Sequence, residues 1–177
     1  MRIIGIDLAT YKRPSSLCLL ENYNAKIVKA LSDEEIIDII KKFKPKAIAI
    51  DAPLSLPKKD SLRKAERELK KIKIKFFPPL MRGMRDLTYR GVKLKKALKK
   101  FKVIEVFPSG ALQYFKVKPK FLPAIKRFLK KQKINLPSKV NLDALHAIVA
   151  AWIGKKYLKK ETFNVGSKIE GQIAMPR

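Results

Sequence analysis

The stretch that most limits what this chain can fold into is its first strand, Met1-Arg-Ile-Ile-Gly-Ile-Asp-Leu-Ala9. A run this apolar, with no alternation, reads as a strand buried on both faces. An unpaired carboxylate buried there costs several kcal/mol. Asp7 must therefore emerge into a cleft or meet something cationic. A second run, Lys46-Ala-Ile-Ala-Ile-Asp51, also places an acid at the C-terminal end of a buried strand.

Between these strands, Ser15 to Leu20 and Lys26 to Leu31 read as short strands joined by a hairpin connection at Glu21 to Asn24. Ser32-Asp-Glu-Glu35 is a capping-box pattern, and Ile36, Ile37, Ile39, Ile40 and Phe43 give the following helix an apolar face. Pro45 stops it. This order predicts an antiparallel meander joined to a parallel strand. If the strand ending at Asp51 lies beside the first, the two acids converge at one sheet edge, about 4.8 Å apart. Open α/β sheets bind ligands at that edge.

Further on, Asp60 to Lys73 reads as a helix, and Met84 to Lys100 as another interrupted near Gly91. Val103 to Phe107 is strand-like, and a short helix follows Pro108. Phe121 to Lys131 is an amphipathic helix. Leu142 to Leu158 is the clearest helix in the chain, with Ala144, Ala147 and Ala151 forming a small-residue face. Asp143 and His146, three apart, share another face. Asp143 also suits a first helical turn for ordinary dipole reasons. The tail, Gly171 to Met175, is expected to add an edge strand. No internal repeat or linker divides residues 1–177, so a single domain is expected.

Charge separates this chain from an ordinary enzyme. Lys and Arg total 42 against 15 acids, a net charge of +27. A thermophile's surface raises Glu along with Lys, and Glu is scarce here. The excess points to a polyanionic partner, nucleic acid (DNA or RNA) ahead of an acidic membrane surface. From Lys58 to Lys133 there are 26 basic residues against five acids. Arg63, Arg67, Arg82 and Arg85 in this segment are candidates for phosphate contacts; Arg63 and Arg67, on one helical face, alternatively pair with Glu66 and Glu68 at the surface. Phe76, Phe77, Tyr89 and Tyr114 suit either base stacking or a core. One cysteine, Cys18, excludes an intramolecular disulfide. The absence of a signal-peptide pattern or membrane-length apolar run implies a soluble, cytoplasmic protein that inserts in no membrane.

Several of these motifs occur together and in order in one family. Gly5-Ile-Asp-Leu-Ala9, Ala49-Ile-Asp-Ala-Pro-Leu54, Glu105-Val-Phe-Pro108, Asp143-Ala-Leu-His-Ala147 and Glu170-Gly-Gln-Ile-Ala-Met-Pro176 resemble DUF429, a family of predicted nucleases with a ribonuclease H fold. Arg63-Lys-Ala-Glu-Arg67 and Phe77-Pro-Pro79 also look like its pattern. More distantly, the acids resemble those of RuvC-type Holliday junction resolvases. The resemblance implies an α/β, ribonuclease H-like mixed sheet of five strands, order 3-2-1-4-5, flanked by helices and carrying helical insertions. It also implies a two-metal nuclease, with Asp7 bridging two Mg²⁺ or Mn²⁺ ions and Asp51 and Asp143 holding one each. His146 joins as a ligand or proton carrier. Glu66 and Glu170 match the family pattern without a defined role, and Glu105, mid-strand, either faces the pocket or pairs with a lysine. Resolvases are dimers, which leaves a homodimer open.

Two other readings stay open on the sequence. One is a nucleic-acid-binding module on the same fold without catalysis. The other is a phosphotransferase of the actin, Hsp70 and sugar-kinase superfamily, whose first strand also carries Gly-x-Asp. The opening lacks that superfamily's following phosphate turn, and 177 residues are few for its two lobes.

Overall fold

The computed structural model describes residues 1–177. The first strand, β1 (Arg2–Asp7), pairs antiparallel with β2 (Ser15–Glu21), which pairs antiparallel with β3 (Asn24–Ala30) to complete a meander. Asn22 takes a left-handed φ of 56° in the tight connection between the last two. Helix α1 (Asp33–Phe43) opens on the expected capping box: Ser32 accepts from the Glu35 amide, and the Glu35 carboxylate accepts from the Ser32 amide. It returns the chain to β4 (Ala47–Asp51), which pairs parallel with β1.

Next come α2 (Lys64–Lys71), α3 (Arg85–Ala97), β5 (Val103–Val106), α4 (Pro108–Tyr114), α5 (Leu122–Lys131), α6 (Leu142–Leu158), β6 (Thr162–Ser167) and β7 (Gly171–Pro176). The strands form one mixed sheet in the order β3-β2-β1-β4-β5-β7-β6. The predicted order 3-2-1-4-5 is present within it, but the sheet has seven strands rather than five. The tail strand β7 is not an edge. It runs parallel to β5 on one side and antiparallel to β6 on the other. Strand β6, Thr-Phe-Asn-Val-Gly-Ser, carries too little apolar alternation to announce itself.

Two helices also differ from expectation. Helix α2 begins at Lys64 rather than Asp60, because the Glu66 carboxylate accepts from the Arg63 amide and sets the start there. Helix α3 runs unbroken through Gly91. That glycine is a point of contact: a Cβ there would lie 2.6 Å from the Pro53 carbonyl oxygen.

The sheet separates two apolar layers. Ile4, Ile6, Ile48 and Ile50 pack with Ile36, Ile40 and Leu94 of α1 and α3. Ile3 and Ala49 pack with Ala147, Ala151 and their neighbours on α6. Helix α6 crosses β1, β2 and β4 at close range. A Cβ on Gly5 would fall 2.2 Å from the Ala147 carbonyl oxygen. The small-residue face and this glycine together let the helix lie against the strand backbone. No helix is long and apolar enough to cross a membrane.

Candidate metal centre

Strand geometry decides which acids can meet. Side chains alternate between sheet faces, so residues 3, 5 and 7 of β1 share a face with residues 47, 49 and 51 of β4. Ile3, Gly5 and Ala49 face α6, and so therefore do Asp7 and Asp51. The parallel register makes these two acids direct partners. His146, on the first turns of α6, completes the set. One ligand atom from each of Asp7, Asp51 and His146 lies within 4.8 Å of the others.

The carboxylates are half-buried, and no hydrogen bond contributes to the environment of either. Burial, then the charge of Asp143, pushes Asp7 up to about 7, while Arg13 and Lys29 oppose the shift. Burial, then the charges of Asp7 and Glu105, raises Asp51 well above the usual carboxylate range. Like charges this close make one acid retain a proton near neutrality. A bound cation would take that proton's place.

His146 is prepared for such a role by its second nitrogen. Nε2 lies 2.9 Å from the Pro119 carbonyl oxygen, which can only accept. Nε2 therefore carries the hydrogen, leaving the Nδ1 lone pair free. Burial lowers the His146 pKa, keeping the ring neutral as a ligand must be. Two carboxylates and a neutral imidazole nitrogen fit a divalent cation such as Mn²⁺, and the oxygens alone fit Mg²⁺.

Asp143 stands beside this group but not within it. Asn141 caps α6 by accepting from the Ala144 amide, and Asp143 sits on the first turn. Its carboxylate accepts from Arg13 at 2.8 Å. The loop carrying Arg13 is anchored from α3. Buried Arg90 donates to the Ala9 and Leu31 carbonyls and to Asp33, which also accepts from the Tyr11 hydroxyl. Arg13 was missed in the sequence, where nothing marks a lone arginine in a polar turn. Its only signal is its place directly after the acid-bearing strand.

The other candidate residues lie elsewhere. Glu105 projects from β5 on the face away from α6. Its two oxygens accept from Arg63 at 2.8 and 2.6 Å, and one also accepts from the Leu54 amide. Burial raises the Glu105 carboxyl, with the guanidinium opposing that shift. Glu66 holds the other side of Arg63 at 2.6 Å. Arg63 is 1% exposed and fully occupied, so it does not present a surface for phosphate. Arg67 pairs with Asp60 at the surface, while Arg82 and Arg85 are exposed. Glu170 accepts from the Lys64 amide and ties the loop before β7 to α2. Phe77, Tyr89 and Tyr114 are exposed, and Phe76 is half-buried.

Among solved structures, Thermus thermophilus RuvC in complex with a Holliday junction substrate superposes with a TM-score of 0.53. It is 12% identical, and the match covers 90% of this chain and 96% of that one. The fold is ribonuclease H-like. A second structure of Thermus thermophilus RuvC matches over the same shares at 12% identity and a TM-score of 0.47. No family model matches the chain and no curated protein matches it in sequence, so the resemblance to DUF429 rests on its motifs alone.

Proposed function

We propose that the protein is a metal-dependent nuclease that hydrolyses phosphodiester bonds of structured nucleic acid, with the two-metal chemistry of its fold. The observation that carries this reading is the pairing of Asp7 with Asp51, without an ion pair or hydrogen bond to either carboxylate, next to His146. In a protein with 42 basic residues, two adjacent central acids left without an ion pair or hydrogen bond mark where an external cation would sit. Asp7, Asp51 and His146 would hold the cation, and Asp143 would join them once Arg13 released it. Mg²⁺ or Mn²⁺ bound there supplies Lewis-acid activation of a water and charge stabilisation at the leaving oxygen.

The chain's own residues do the rest. His146 keeps its orientation through Pro119, so its lone pair is presented without rotational loss. Arg13 lines the same cleft and pairs with Asp143 at 2.8 Å. The fold match to a resolvase bound to a Holliday junction supports branched nucleic acid as a substrate to try.

The test is a cleavage panel of branched, duplex and single-stranded DNA and RNA with Mn²⁺, using wild type and Asp7→Asn. Cleavage is expected with wild type and absent with the variant, while binding survives. Cleavage by Asp7→Asn at the wild-type rate rejects the assignment. The Arg13–Asp143 bridge favours one second reading, a binding module without catalysis, because it already engages the third acid. That reading predicts binding with no cleavage and no Mn²⁺ uptake.

A further inference from the structure

The two flanks of the acid pair differ in chemistry. On one side lies a cleft of about 220 Å³ that begins at Asp7 and Asp51 and runs between Leu69, Phe76, Phe77 and Phe107. No lysine lines it. Its two arginines are both engaged, Arg63 by Glu66 and Glu105 and Arg13 by Asp143. Phe77 is 66% exposed at this cleft, a large ring kept in water where a core would have taken it in.

On the other side lies an open groove of about 520 Å³ lined by Lys29, Lys126 and Lys139 together with Ser138 and Asn141. Lys29 donates to Ser16, the β2 partner of both Lys29 and Asp7. Asn141 caps the helix that carries Asp143 and His146. The cleft thus includes Asp7 and Asp51, and the groove begins at Lys29, which lies two strands from Asp7 in the same row across the sheet.

A phosphodiester backbone is held by cations, and an uncharged flat ring by apolar and aromatic walls. We infer that one nucleic-acid strand crosses the acids with its backbone in the Lys29–Lys126–Lys139 groove and one unstacked base in the Phe76–Phe77–Phe107 cleft. The substrate is thus nucleic acid with an unpaired nucleotide at the point of cleavage, not continuous duplex. A paired base cannot enter the cleft without leaving its stack, and a nucleotide already unpaired avoids that cost. This inference rests on the proposed nuclease site only for the position of the scissile bond. Its test needs no cleavage.

The probe is a duplex carrying a single bulged 2-aminopurine, in DNA and in RNA versions, against the same duplex fully paired, titrated in EDTA. Wild type is expected to bind a bulged version at least about tenfold more tightly and to change the 2-aminopurine fluorescence on binding. In Phe77→Ala, which removes only an exposed ring, the preference and the fluorescence change both shrink. Lys29→Gln/Lys126→Gln/Lys139→Gln weakens both duplexes alike and flattens the dependence of log K on log salt by about 2 to 3. Lys95→Gln/Lys96→Gln/Lys99→Gln, in a groove by Val103 at the opposite end of β5, leaves that slope unchanged. Four results overturn the inference: no binding to any version, equal affinity for bulged and paired duplex, fluorescence unaffected by Phe77→Ala, or equal loss of slope in both lysine variants. Bulge preference with no cleavage in Mn²⁺ would instead reject the nuclease reading and leave this one standing.

Discussion

Two clusters of acids lie along the same cleft and are treated in opposite ways. In the Arg63–Glu66–Glu105 cluster every charge has a partner. One guanidinium lies between two carboxylates, and one oxygen of each also accepts from a backbone amide, Leu54 for Glu105 and Arg63 itself for Glu66. In the Asp7–Asp51–His146 cluster, no side chain or amide satisfies the carboxylates. Both clusters sit at strand ends, and both involve acids raised by burial. The lesson is that burial alone does not mark a site. A buried acid that the chain has neutralised holds the fold together, and one that it has left unneutralised awaits something from outside.

This contrast breaks first, and by the largest margin, at Arg63. Replacing it with Met strands two buried glutamates, and the expected loss of stability is about 3–5 kcal/mol. Urea unfolding reads it. A loss near zero would mean that the cluster is not a closed ion network.

At the other cluster the sign reverses. Asp7 has a folded pKa of about 7 against 3.8 for the ordinary carboxyl. The folded state therefore holds a proton that the unfolded state gives up, and this acid costs stability increasingly as pH rises from about 4 through 7. Below pH 4 both states are protonated and the cost disappears. In metal-free protein, Asp7→Asn is expected to stabilise at pH 8 by roughly 2–4 kcal/mol and to change nothing at pH 3.5. Unfolding curves at the two pH values check it. Destabilisation at pH 8 would place Asp7 in the same class as Glu105.

The contrast also shows what the sequence exposes. Asp7 and Asp51 were legible because each ends an apolar run, where an acid stands out and strand register does the rest. Helix α6 was legible to the residue, since its alanines, its Asn141 cap and its length all agree. The Arg63–Glu105 pair was not, because it joins residues 42 apart in sequence across a sheet edge. Locally, Arg63 suggested a phosphate contact or a surface pair with Glu66; the pair with Glu66 forms, but buried and shared with Glu105. The different surroundings of Asp143 and His146 were hidden for a similar reason. Both share a helix face, yet Asp143 pairs with Arg13 while His146 meets Asp7 and Asp51, contacts that join distant parts of the chain.

Two smaller effects sharpen the open cluster. His146→Ala is expected to weaken Mn²⁺ binding by at least about tenfold while leaving the secondary structure unchanged. Equilibrium dialysis with circular dichroism separates the two, and an unchanged affinity would return the third position to Asp143. Arg13→Gln frees Asp143 from an exposed ion pair and is expected to raise Mn²⁺ affinity by no more than about fivefold. A fall in affinity would mean that Arg13 helps to build the centre instead of competing for it.

The account stands or falls on whether the uncompensated acids bind a cation. Calorimetric titration of Mn²⁺ into the wild-type protein and into Asp51→Asn at pH 8 tests this directly. The structure predicts saturable binding to wild type that is lost in Asp51→Asn. No binding to wild type, or equal binding to both, would contradict it.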